Sequence, residues 1–492
     1  MTILDLKDPA LLPGLAFIDG TWRPAAAGRT LPVFDPATGR PVGEAPDCDE
    51  GDTRAAIAAA AVALSPWRAR TAGQRCEILA RWHALILANV DDLARIMTAE
   101  QGKPLAEAAG EVRYAASFVK WFAEEGRRVH GYEVPAPEAD RRILVRKEPV
   151  GVCAIITPWN FPAAMITRKC APALAAGCTV VIKPSDLTPL TALALAVLAE
   201  RAGVPAGVLT VVTGMPDAIG QELTASPVVR KLSFTGSTRV GSLLMRQCAD
   251  TVKRLSLELG GNAPLIIFDD ADLDLAVAGA MAAKFRNAGQ TCVCPNRILV
   301  QDGIHDAFAE RLGQAVAALR VGPGMAAGVT TGPLINAAAV RKVRDHVDDA
   351  LTKGARIAAQ APSGGDPTRF TAPVVLTGAT VDMRLAHEET FGPVAPLFRF
   401  ESEDEAVTMA NATPYGLASY FYTNDLHRAW RVSERLEAGM VALNTGSIAM
   451  EMSPFGGVKQ SGLGREGGQA GIEEYLEHKA FHIGGLKLGA VP

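Results

Sequence analysis

The sequence predicts an α/β protein built from two doubly wound, mostly parallel sheets. Short β-rich runs alternate with helical segments from Val150 to about residue 259, and a second alternating series begins after Gly261. The length of 492 residues agrees with this, because single hydrophobic cores rarely grow beyond about 250 to 300 residues. We therefore expect two major domains and a smaller appended segment.

The region before residue 140 is predicted to be rich in helices. Apolar residues recur at helical spacing in Ala55–Leu64 and again through Ile78–Ile96. Gln101-Gly102 is predicted to separate these helices from another one, which runs from about Pro104 to Glu125. Charged and apolar residues then alternate in Arg141–Pro149, which predicts an extended arm suited to oligomer contacts.

Five predicted strands form the first sheet: VCAIITP, TVVIKP, VLTVVTG, KLSFTG and RLSLELG. The first connecting helix is expected to open at Pro162 and close at Gly177, and the second to be capped by Thr188 with Pro189 in its first turn. Nucleotide binding is the first functional hypothesis for such a unit. Its ligand-binding residues are expected in the loops at the carboxyl ends of the strands.

The second sheet is predicted from the runs APLIIFDD, RILVQD, ARIAAQ, PVVLTG and MVALNTG. Helical segments such as Asp306–Leu319 separate them. The Gly-rich segment SGLGREGG then leads to a closing strand, YLEHKAFHI. These elements predict a second α/β domain.

Composition and charge exclude several classes of protein. The chain is 48% hydrophobic and 21% charged, as globular proteins are, and its net charge of −4 argues against a nucleic-acid or anionic-membrane partner. The longest apolar stretches, such as Ala192–Ala199, are too short to span a bilayer. The first twenty residues lack the pattern of an export signal, so a cytoplasmic location is expected.

The cysteines and histidines predict no metal site. Cys292 and Cys294 are separated by one residue, which is not the spacing of zinc ligands, and His478 and His482 lie in a predicted strand that holds their side chains about 13 Å apart. The other cysteines are expected to be buried free thiols: Cys48, Cys76, Cys153, Cys170, Cys178 and Cys248.

Three residues predict a nucleophilic site. Cys292 follows the small residues Ala288-Gly289, which would leave its sulfur accessible, and a reactive thiol needs an electropositive or hydrogen-bonding setting. Glu258 can activate a water molecule against a thioester, and the side-chain amide of Asn160 can stabilise an oxyanion together with the Cys292 backbone N–H. The structural alternatives are a packed thiol, an ion-pair partner and a turn former.

Two loops of the first sheet are candidates for nucleotide contacts. In FTGSTRVG, Gly236 turns the chain into a helix that contains Gly241, so backbone N–H groups can approach a pyrophosphate; a plain strand-to-helix turn would have the same sequence. In VIKPSDLTP, Lys183 and Asp186 can bind the hydroxyls of a ribose. A carboxylate at Asp186 would also repel a 2′-phosphate.

Seven motifs occur in one order between Thr157 and Gly462: TPWNFP, KPSDLTP, FTGSTRVG, LELGGN, GQTCVC, EETFGP and PFGGVKQSG. Together they resemble the aldehyde dehydrogenase superfamily, and WNFPAAMITRK, KFRNAGQTCVC and SGLGREGG are most similar to its succinate-semialdehyde dehydrogenase branch. The resemblance implies a Rossmann-like dinucleotide-binding domain, an α/β catalytic domain and a small β arm used in a homodimer or homotetramer. The implied boundaries are 1–127 with 150–259, then 260–448, and finally 128–149 with 449–492.

The resemblance also implies the chemistry, which is oxidation of an aldehyde to an acid through a cysteine thiohemiacetal and a thioester. It makes Cys292 the nucleophile, Glu258 the base and Asn160 the oxyanion amide. The acidic Asp186 favours NAD, with NADP as the alternative. The implied cofactor contacts are Thr157, Pro158, Trp159, Lys183, Ser185, Asp186, Gly214, Phe234, Gly236, Ser237, Gly241, Leu259, Glu389 and Phe391.

The implied substrate is a semialdehyde such as succinate semialdehyde, with its distal carboxylate held by Arg168 and Arg286. Phe161 and Phe455 are the implied apolar walls. Ala449 departs from the pattern, because that branch typically has a carboxylate-binding serine there. Either Ser447 or Ser453 compensates, or the substrate is glutarate semialdehyde or a less polar aldehyde.

Cys294 matches a cysteine that, in some members of this branch, forms a reversible disulfide with the nucleophile. The alternative is a thiol that takes no part. Two other functions remain open: a CoA-acylating dehydrogenase, which would have less use for Glu258, and a non-catalytic nucleotide-binding protein, against which the combination of Cys292, Glu258 and Asn160 argues.

Overall fold

The computed structural model describes residues 4–487. Residues 1–3 and 488–492, at the two ends of the predicted domain boundaries, lie outside the described part. Its strands are β1 (Ala16–Ile18), β2 (Thr21–Arg23), β3 (Thr30–Phe34), β4 (Pro41–Pro46), β5 (Tyr132–Val134), β6 (Arg142–Pro149), β7 (Val152–Ile156), β8 (Thr179–Lys183), β9 (Leu209–Val211), β10 (Val229–Thr235), β11 (Arg254–Glu258), β12 (Ala263–Ile267), β13 (Pro295–Gln301), β14 (Arg356–Gln360), β15 (Val374–Thr377), β16 (Val394–Phe400), β17 (Tyr415–Gly416), β18 (Ala418–Tyr422), β19 (Met440–Leu443), β20 (Val458–Lys459), β21 (Gly462–Leu463) and β22 (Leu476–Ile483).

The helices are α1 (Glu50–Arg68), α2 (Ala72–Ala88), α3 (Val90–Gln101), α4 (Leu105–Glu125), α5 (Ala164–Ala176), α6 (Leu190–Arg201), α7 (Pro216–Ala225), α8 (Thr238–Cys248), α9 (Leu273–Lys284), α10 (Asp302–Ala317), α11 (Ala337–Thr352), α12 (Arg384–His387), α13 (Glu403–Asn411), α14 (Leu426–Arg435) and α15 (Ala470–Glu473). Short 3₁₀ turns occupy Pro9–Leu11, Gly126–Arg128, Ala249–Thr251 and Arg286–Gly289.

The first sheet has eight strands in the order β2-β1-β9-β8-β7-β10-β11-β21. Its five central strands, in the order β9-β8-β7-β10-β11, are parallel to one another. They confirm the five strands predicted from the sequence. The chain runs from β7 through β8 to β9 on one side and continues with β10 and β11 on the other. The topological switch point therefore lies between β7 and β10, where α/β sheets bind ligands.

The second sheet has seven strands in the order β14-β15-β16-β13-β12-β18-β19, parallel except for β14. All five predicted runs form strands in it. The predicted segments did not name two of its interior strands, β16 and β18. Pro396 explains why β16 was not predicted, because a proline within an apolar run argues against a central strand.

The N-terminal region differs from its helix-rich prediction. The short strands β1 to β4 precede α1 and were not predicted. The helical pattern predicted through Ile78–Ile96 forms two helices rather than one, because the backbone of Asn89 leaves helical geometry between α2 and α3. The predicted break is confirmed: α3 ends at Gln101, and Gly102 adopts a left-handed φ of 94°.

The predicted cap of α6 is wrong. Thr188 does not cap this helix, and its buried hydroxyl has no hydrogen-bond partner among the described residues. The buried carboxylate of Glu100, at the end of α3, instead accepts hydrogen bonds from the backbone N–H groups of Leu190 and Thr191, at 2.7 and 2.8 Å. This contact joins residues 90 positions apart, so no local sequence signal could reveal it.

The predicted arm forms β6, which pairs antiparallel with β5 and β22 in a separate three-stranded sheet. His478 and His482 both lie on β22, as expected. Within residues 4–487 no group of three or more His, Cys, Asp or Glu side chains is placed to hold a metal ion. None of the described helices combines the length and apolar character needed to cross a membrane. The six scattered cysteines are free and buried.

Candidate active site

A cavity of about 290 Å³ lies at the carboxyl ends of β7 and β10, next to the switch point. It extends from the first sheet to the loop before β13 and to the segment after α12, so both sheets contribute to its walls. Among the residues singled out in the sequence, it is lined by Pro158, Trp159, Asn160, Phe161, Arg168, Gly236, Ser237, Leu259, Arg286, Cys292, Glu389, Phe391, Ala449 and Phe455. The tertiary structure therefore collects segments separated by almost 300 positions.

The remaining candidates do not line this cavity. Phe234 packs beneath Gly236, where an added Cβ would lie 2.4 Å from its ring. Gly241 packs on Leu259 in the same way, and Gly214 packs against the backbone of Cys48. Phe234, Gly241 and Gly214 therefore shape these loops by packing, and their contacts with a cofactor stay a prediction. The other candidates outside the cavity are Thr157, Lys183, Ser185, Asp186, Glu258, Cys294, Ser447 and Ser453.

Cys292 lies in a tight loop before β13. Asn287 and Ala288 have positive φ angles of 51° and 54°, and Gly289 follows at 75°. A Cβ on Gly289 would lie 2.3 Å from the carbonyl oxygen of Gly392, so no side chain fits there. This geometry leaves Cys292 half-buried in the cavity wall, in contrast to the six inert cysteines.

The electrostatic setting of Cys292 differs from expectation. Burial raises the pKa of its thiol to about 12, and the nearby carboxyl of Glu389 raises it further, against the opposing effect of Arg168. Of the groups around the sulfur, Arg168 and a backbone N–H favour its ionised form, and the carboxyl groups of Glu389 and Glu258 oppose it. The raised pKa means that the thiol has to lose its proton as the sulfur reacts.

Glu258 ends β11 as a buried side chain, and neither carboxyl oxygen has a hydrogen-bond partner among the described residues. Burial, reinforced by the buried carboxyl of Glu466, raises the pKa of Glu258 well above its usual range, while Lys169 and Arg168 oppose the rise. A carboxyl group with free oxygens and a raised pKa is suited to accepting a proton from water.

Asn160 is held by residues from two other segments, the one that contains Lys103 and the cysteine loop. Its backbone carbonyl accepts hydrogen bonds from Lys103 Nζ at 2.8 Å and from Asn287 Nδ2 at 3.0 Å. Its side-chain Nδ2 donates to the carbonyl oxygen of Gln290 at 3.0 Å, which leaves its second N–H free. Sequence analysis did not identify Lys103. In the sequence it is a single lysine between Gly102 and Pro104, and nothing in that local pattern indicates a buried contact with Asn160.

The two candidate arginines have different surroundings. Arg168 is buried, its Nε lies 2.6 Å from a carboxylate oxygen of Glu466, and its guanidinium stacks at 4.1 Å from the ring centre of Phe455. Arg286 is exposed at the cavity, 5.0 Å from the ring centre of Phe161, and has no ion-pair partner in residues 4–487. Of these two arginines, only Arg286 has no ion pair among the described residues, whereas Arg168 shares the carboxylate of Glu466 with Lys169.

Cys294 does not share the cavity with Cys292. It is 1% exposed, and its sulfur receives a hydrogen bond from Lys284 Nζ at 3.3 Å. The redox switch formed with Cys292 stays a prediction.

The residues at the switch point fit a dinucleotide. Ser237 caps α8, so the free N–H groups of an eleven-residue helix begin beside the cavity. At the end of β8, Lys183 Nζ lies 4.0 Å from Asp186 Oδ1, where the two can share the hydroxyls of a ribose. The neighbouring hydroxyl of Thr157 is buried without a partner among the described residues.

The nicotinamide end of such a ligand would meet Trp159 and Phe391, whose rings pack edge to face at 5.6 Å. Glu389 lines the same cavity and accepts a hydrogen bond from the backbone N–H of Gly261 at 3.2 Å. Burial raises the pKa of Glu389 to about 7.

Comparison with known proteins identifies one family. The model of the aldehyde dehydrogenase family matches residues 22–481. The chain is 61% identical to the 3-sulfolactaldehyde dehydrogenase of Pseudomonas putida and 57% identical to the NADP(+) succinate-semialdehyde dehydrogenase of Escherichia coli, covering 98% of this chain and 100% of each relative. A crystal structure of an aldehyde dehydrogenase from Brucella melitensis superposes with a TM-score of 0.97 at 59% identity, covering 99% of this chain and all of that one.

Proposed function

This chain belongs to the aldehyde dehydrogenase family, and we propose that, as an NAD(P)-dependent aldehyde dehydrogenase, it oxidises an aldehyde that carries a distal anionic group, such as succinate semialdehyde. One observation carries the proposal: the guanidinium of Arg286 faces the cavity of Cys292 without an ion-pair partner among the described residues. An anionic substrate would supply that partner. The names of both relatives denote aldehydes with an acidic group, which supports the same class.

In the proposed reaction the sulfur of Cys292 attacks the aldehyde carbon. Because the pKa of this thiol is about 12, its proton has to be removed as the bond forms, and the ionised carboxylate of Glu258 is the base for it, reached through a water molecule. The free N–H of Asn160 Nδ2 and the backbone N–H of Cys292 then stabilise the oxyanion. The bound nicotinamide supplies the two-electron acceptor for the oxidation that leaves a thioester on Cys292.

Glu258 acts again in the second half of the reaction. Its unpartnered carboxyl group, once ionised, accepts a proton from the water molecule that attacks the thioester carbon. The products are the carboxylic acid and a regenerated Cys292 thiol. This use of Glu258 argues against the CoA-acylating alternative, in which CoA rather than water would release the acyl group.

The roles of the two arginines are unequal in this proposal. Arg286 binds the distal anion directly, whereas Arg168, already paired with Glu466, orients the Phe455 wall and offsets the carboxyl groups near Cys292. Glutarate semialdehyde, one methylene longer, is the second candidate, since Arg286 is exposed and its long side chain can adjust.

For the cofactor we propose a preference for NAD. Asp186, beside Lys183, is positioned where its carboxylate would repel the 2′-phosphate of NADP. For assembly we propose a homodimer or homotetramer that uses the sheet of β5, β6 and β22, which exposes Tyr132, Leu144 and Phe481. A cytoplasmic location is proposed because the eight free thiols suit a reducing compartment.

The test compares kcat/KM for succinate semialdehyde, glutarate semialdehyde and butanal, without CoA, in the wild type and in two variants. Arg286→Ala should raise KM for both semialdehydes by about 10- to 100-fold and leave KM for butanal within about twofold. Arg168→Ala should instead impair all three aldehydes, because it leaves the buried Glu466 without its arginine. Equal effects of Arg286→Ala on butanal and the semialdehydes would refute the proposal.

A further inference from the structure

A second cavity of about 130 Å³ adjoins the one that contains Cys292. Arg286, Thr291, Val293 and Ala449 line both cavities, so the two spaces meet at these side chains. We refer to the second space as the side cavity. Its remaining walls come from α9, from Tyr420 on β18 and from the segment 446–448.

Three hydrogen-bond donors line the side cavity. Arg286 contributes its unpaired guanidinium. The hydroxyl of Thr291 is buried, with the residue 2% exposed, and has no hydrogen-bond partner among the described residues. Ser447, in contrast, is exposed; its hydroxyl makes no hydrogen bond within residues 4–487, and its backbone N–H donates to the hydroxyl of Thr445. A buried, unpaired hydroxyl beside a free cation is costly unless a ligand satisfies it.

Ala449 makes the side cavity reachable. Its methyl group stands where the two cavities meet and contributes no donor of its own. A larger or polar side chain at this position would hold an anion in the first cavity. With alanine, the terminal group of an extended substrate can pass between Arg286 and Thr291.

We propose that the side cavity is the subsite for the distal anion and that its three donors suit a sulfonate. A sulfonate presents three oxygens in a trigonal array, one for each of Arg286, Thr291 and Ser447, whereas a carboxylate presents two. Its single negative charge also matches the single charged side chain in the wall of the side cavity, the guanidinium of Arg286. This inference rests on the proposed oxidation of an anionic aldehyde and adds the residues that select its anion.

The structure also distinguishes the two serines of this loop. Ser447 lines the side cavity, whereas Ser453 lines neither cavity, and its carbonyl oxygen instead lies against Gly467. Ser447 is therefore the serine that compensates for the missing hydroxyl at Ala449. Ser453→Ala provides a matched control on the same loop.

The experiment uses three aldehydes of equal chain length that differ in the terminal group: 3-sulfopropanal, succinate semialdehyde and 3-phosphonopropanal. Values of kcat/KM are divided by the butanal value of the same variant, which removes general damage. We expect 3-sulfopropanal to be preferred, and Ser447→Ala and Thr291→Val to lower its ratio about tenfold, mainly through KM, with a smaller effect on succinate semialdehyde. Ala449→Ser should shift preference toward succinate semialdehyde, and Ser453→Ala should change no ratio.

The outcomes separate the inference from the proposed function. If butanal is oxidised as well as all three anionic aldehydes, the proposed function fails. If the anionic aldehydes are preferred but Ser447→Ala and Thr291→Val lower the sulfonate and carboxylate ratios equally, or not at all, the side cavity is not the selective subsite. A wild-type preference for the phosphonate dianion would overturn the charge argument.

Discussion

Lys103 donates a hydrogen bond from its Nζ to the backbone carbonyl oxygen of Asn160, at 2.8 Å, while it forms a buried ion pair with Glu111. Glu111 in turn accepts hydrogen bonds from the backbone N–H groups of Ala163 and Ala164, at 2.9 and 3.3 Å. The pair therefore holds both sides of the turn that carries the proposed oxyanion amide. Burial lowers the pKa of Lys103, and the carboxylate of Glu111 opposes this effect.

Removing this lysine should affect both stability and catalysis. Lys103→Met leaves the Glu111 carboxylate buried without its cation, which costs about 3 to 5 kcal/mol, and releases the Asn160 turn, which should lower kcat by roughly 100-fold. Thermal unfolding and steady-state kinetics measure the two effects. Lys103→Met with Glu111→Gln should recover part of the stability. Lys120→Met, an exposed change on α4, is the control, and equal behaviour of Lys103→Met and Lys120→Met would contradict the assignment.

The reactivity of Cys292 should increase steadily with pH. Because the pKa of its thiol is about 12, the thiolate fraction rises about tenfold per pH unit through the range 7 to 10. The rate of iodoacetamide alkylation in the absence of cofactor should follow it without a plateau. A plateau below pH 9 would show that the sulfur is ionised more readily than its burial implies.

Glu389→Gln should accelerate that alkylation, but only above about pH 7. The Glu389 carboxyl, with a raised pKa of about 7, is mostly neutral below that pH and charged above it, and its charge raises the pKa of Cys292. Removing the charge should therefore increase the rate about three- to tenfold at pH 8.5 and hardly at all at pH 6. Glu388→Gln, whose carboxylate pairs with Arg384, is the matched control.

Cofactor choice should depend on Asp186. We expect the wild type to use NAD with a higher kcat/KM than NADP, and Asp186→Ser to raise the NADP value at least tenfold by removing repulsion of the 2′-phosphate. Absorbance at 340 nm during aldehyde oxidation measures both. Asp250→Ser, an exposed change after α8, should leave the ratio unchanged. A wild type that prefers NADP would remove this role for Asp186.

Peroxide should inactivate the enzyme without help from Cys294. That thiol is buried against Lys284 and is absent from the wall of the Cys292 cavity. We expect wild type and Cys294→Ala to lose activity, and to regain it with dithiothreitol, to the same extent. Mass spectrometry of unreduced peptides that reveals a Cys292–Cys294 disulfide, together with poorer recovery in Cys294→Ala, would support the redox switch.

Much of this fold could be predicted from local patterns. The strands β7 to β11 are short apolar runs closed by proline or glycine, and the break at Gly102 follows from glycine's access to positive φ. The order of the motifs around Asn160, Glu258 and Cys292 also indicated the aldehyde dehydrogenase family by resemblance, and the family model that matches residues 22–481 confirms it.

Local patterns could not rank residues that look alike in the sequence. Arg168 and Arg286 were equivalent candidates until the fold brought Glu466, from the C-terminal segment, against Arg168 alone. Ser447 and Ser453 were equivalent until only Ser447 was found to line a cavity.

The sequence by itself determined most strands of the two sheets, the family and the chemistry-bearing residue types, since these depend on periodicity and on short motifs. Only the tertiary structure decided which charge is free, which hydroxyl is unsatisfied and how strongly burial opposes ionisation of Cys292. The physical reason is that desolvation and ion pairing depend on atoms brought together across long separations in the chain, and local patterns carry no record of those contacts.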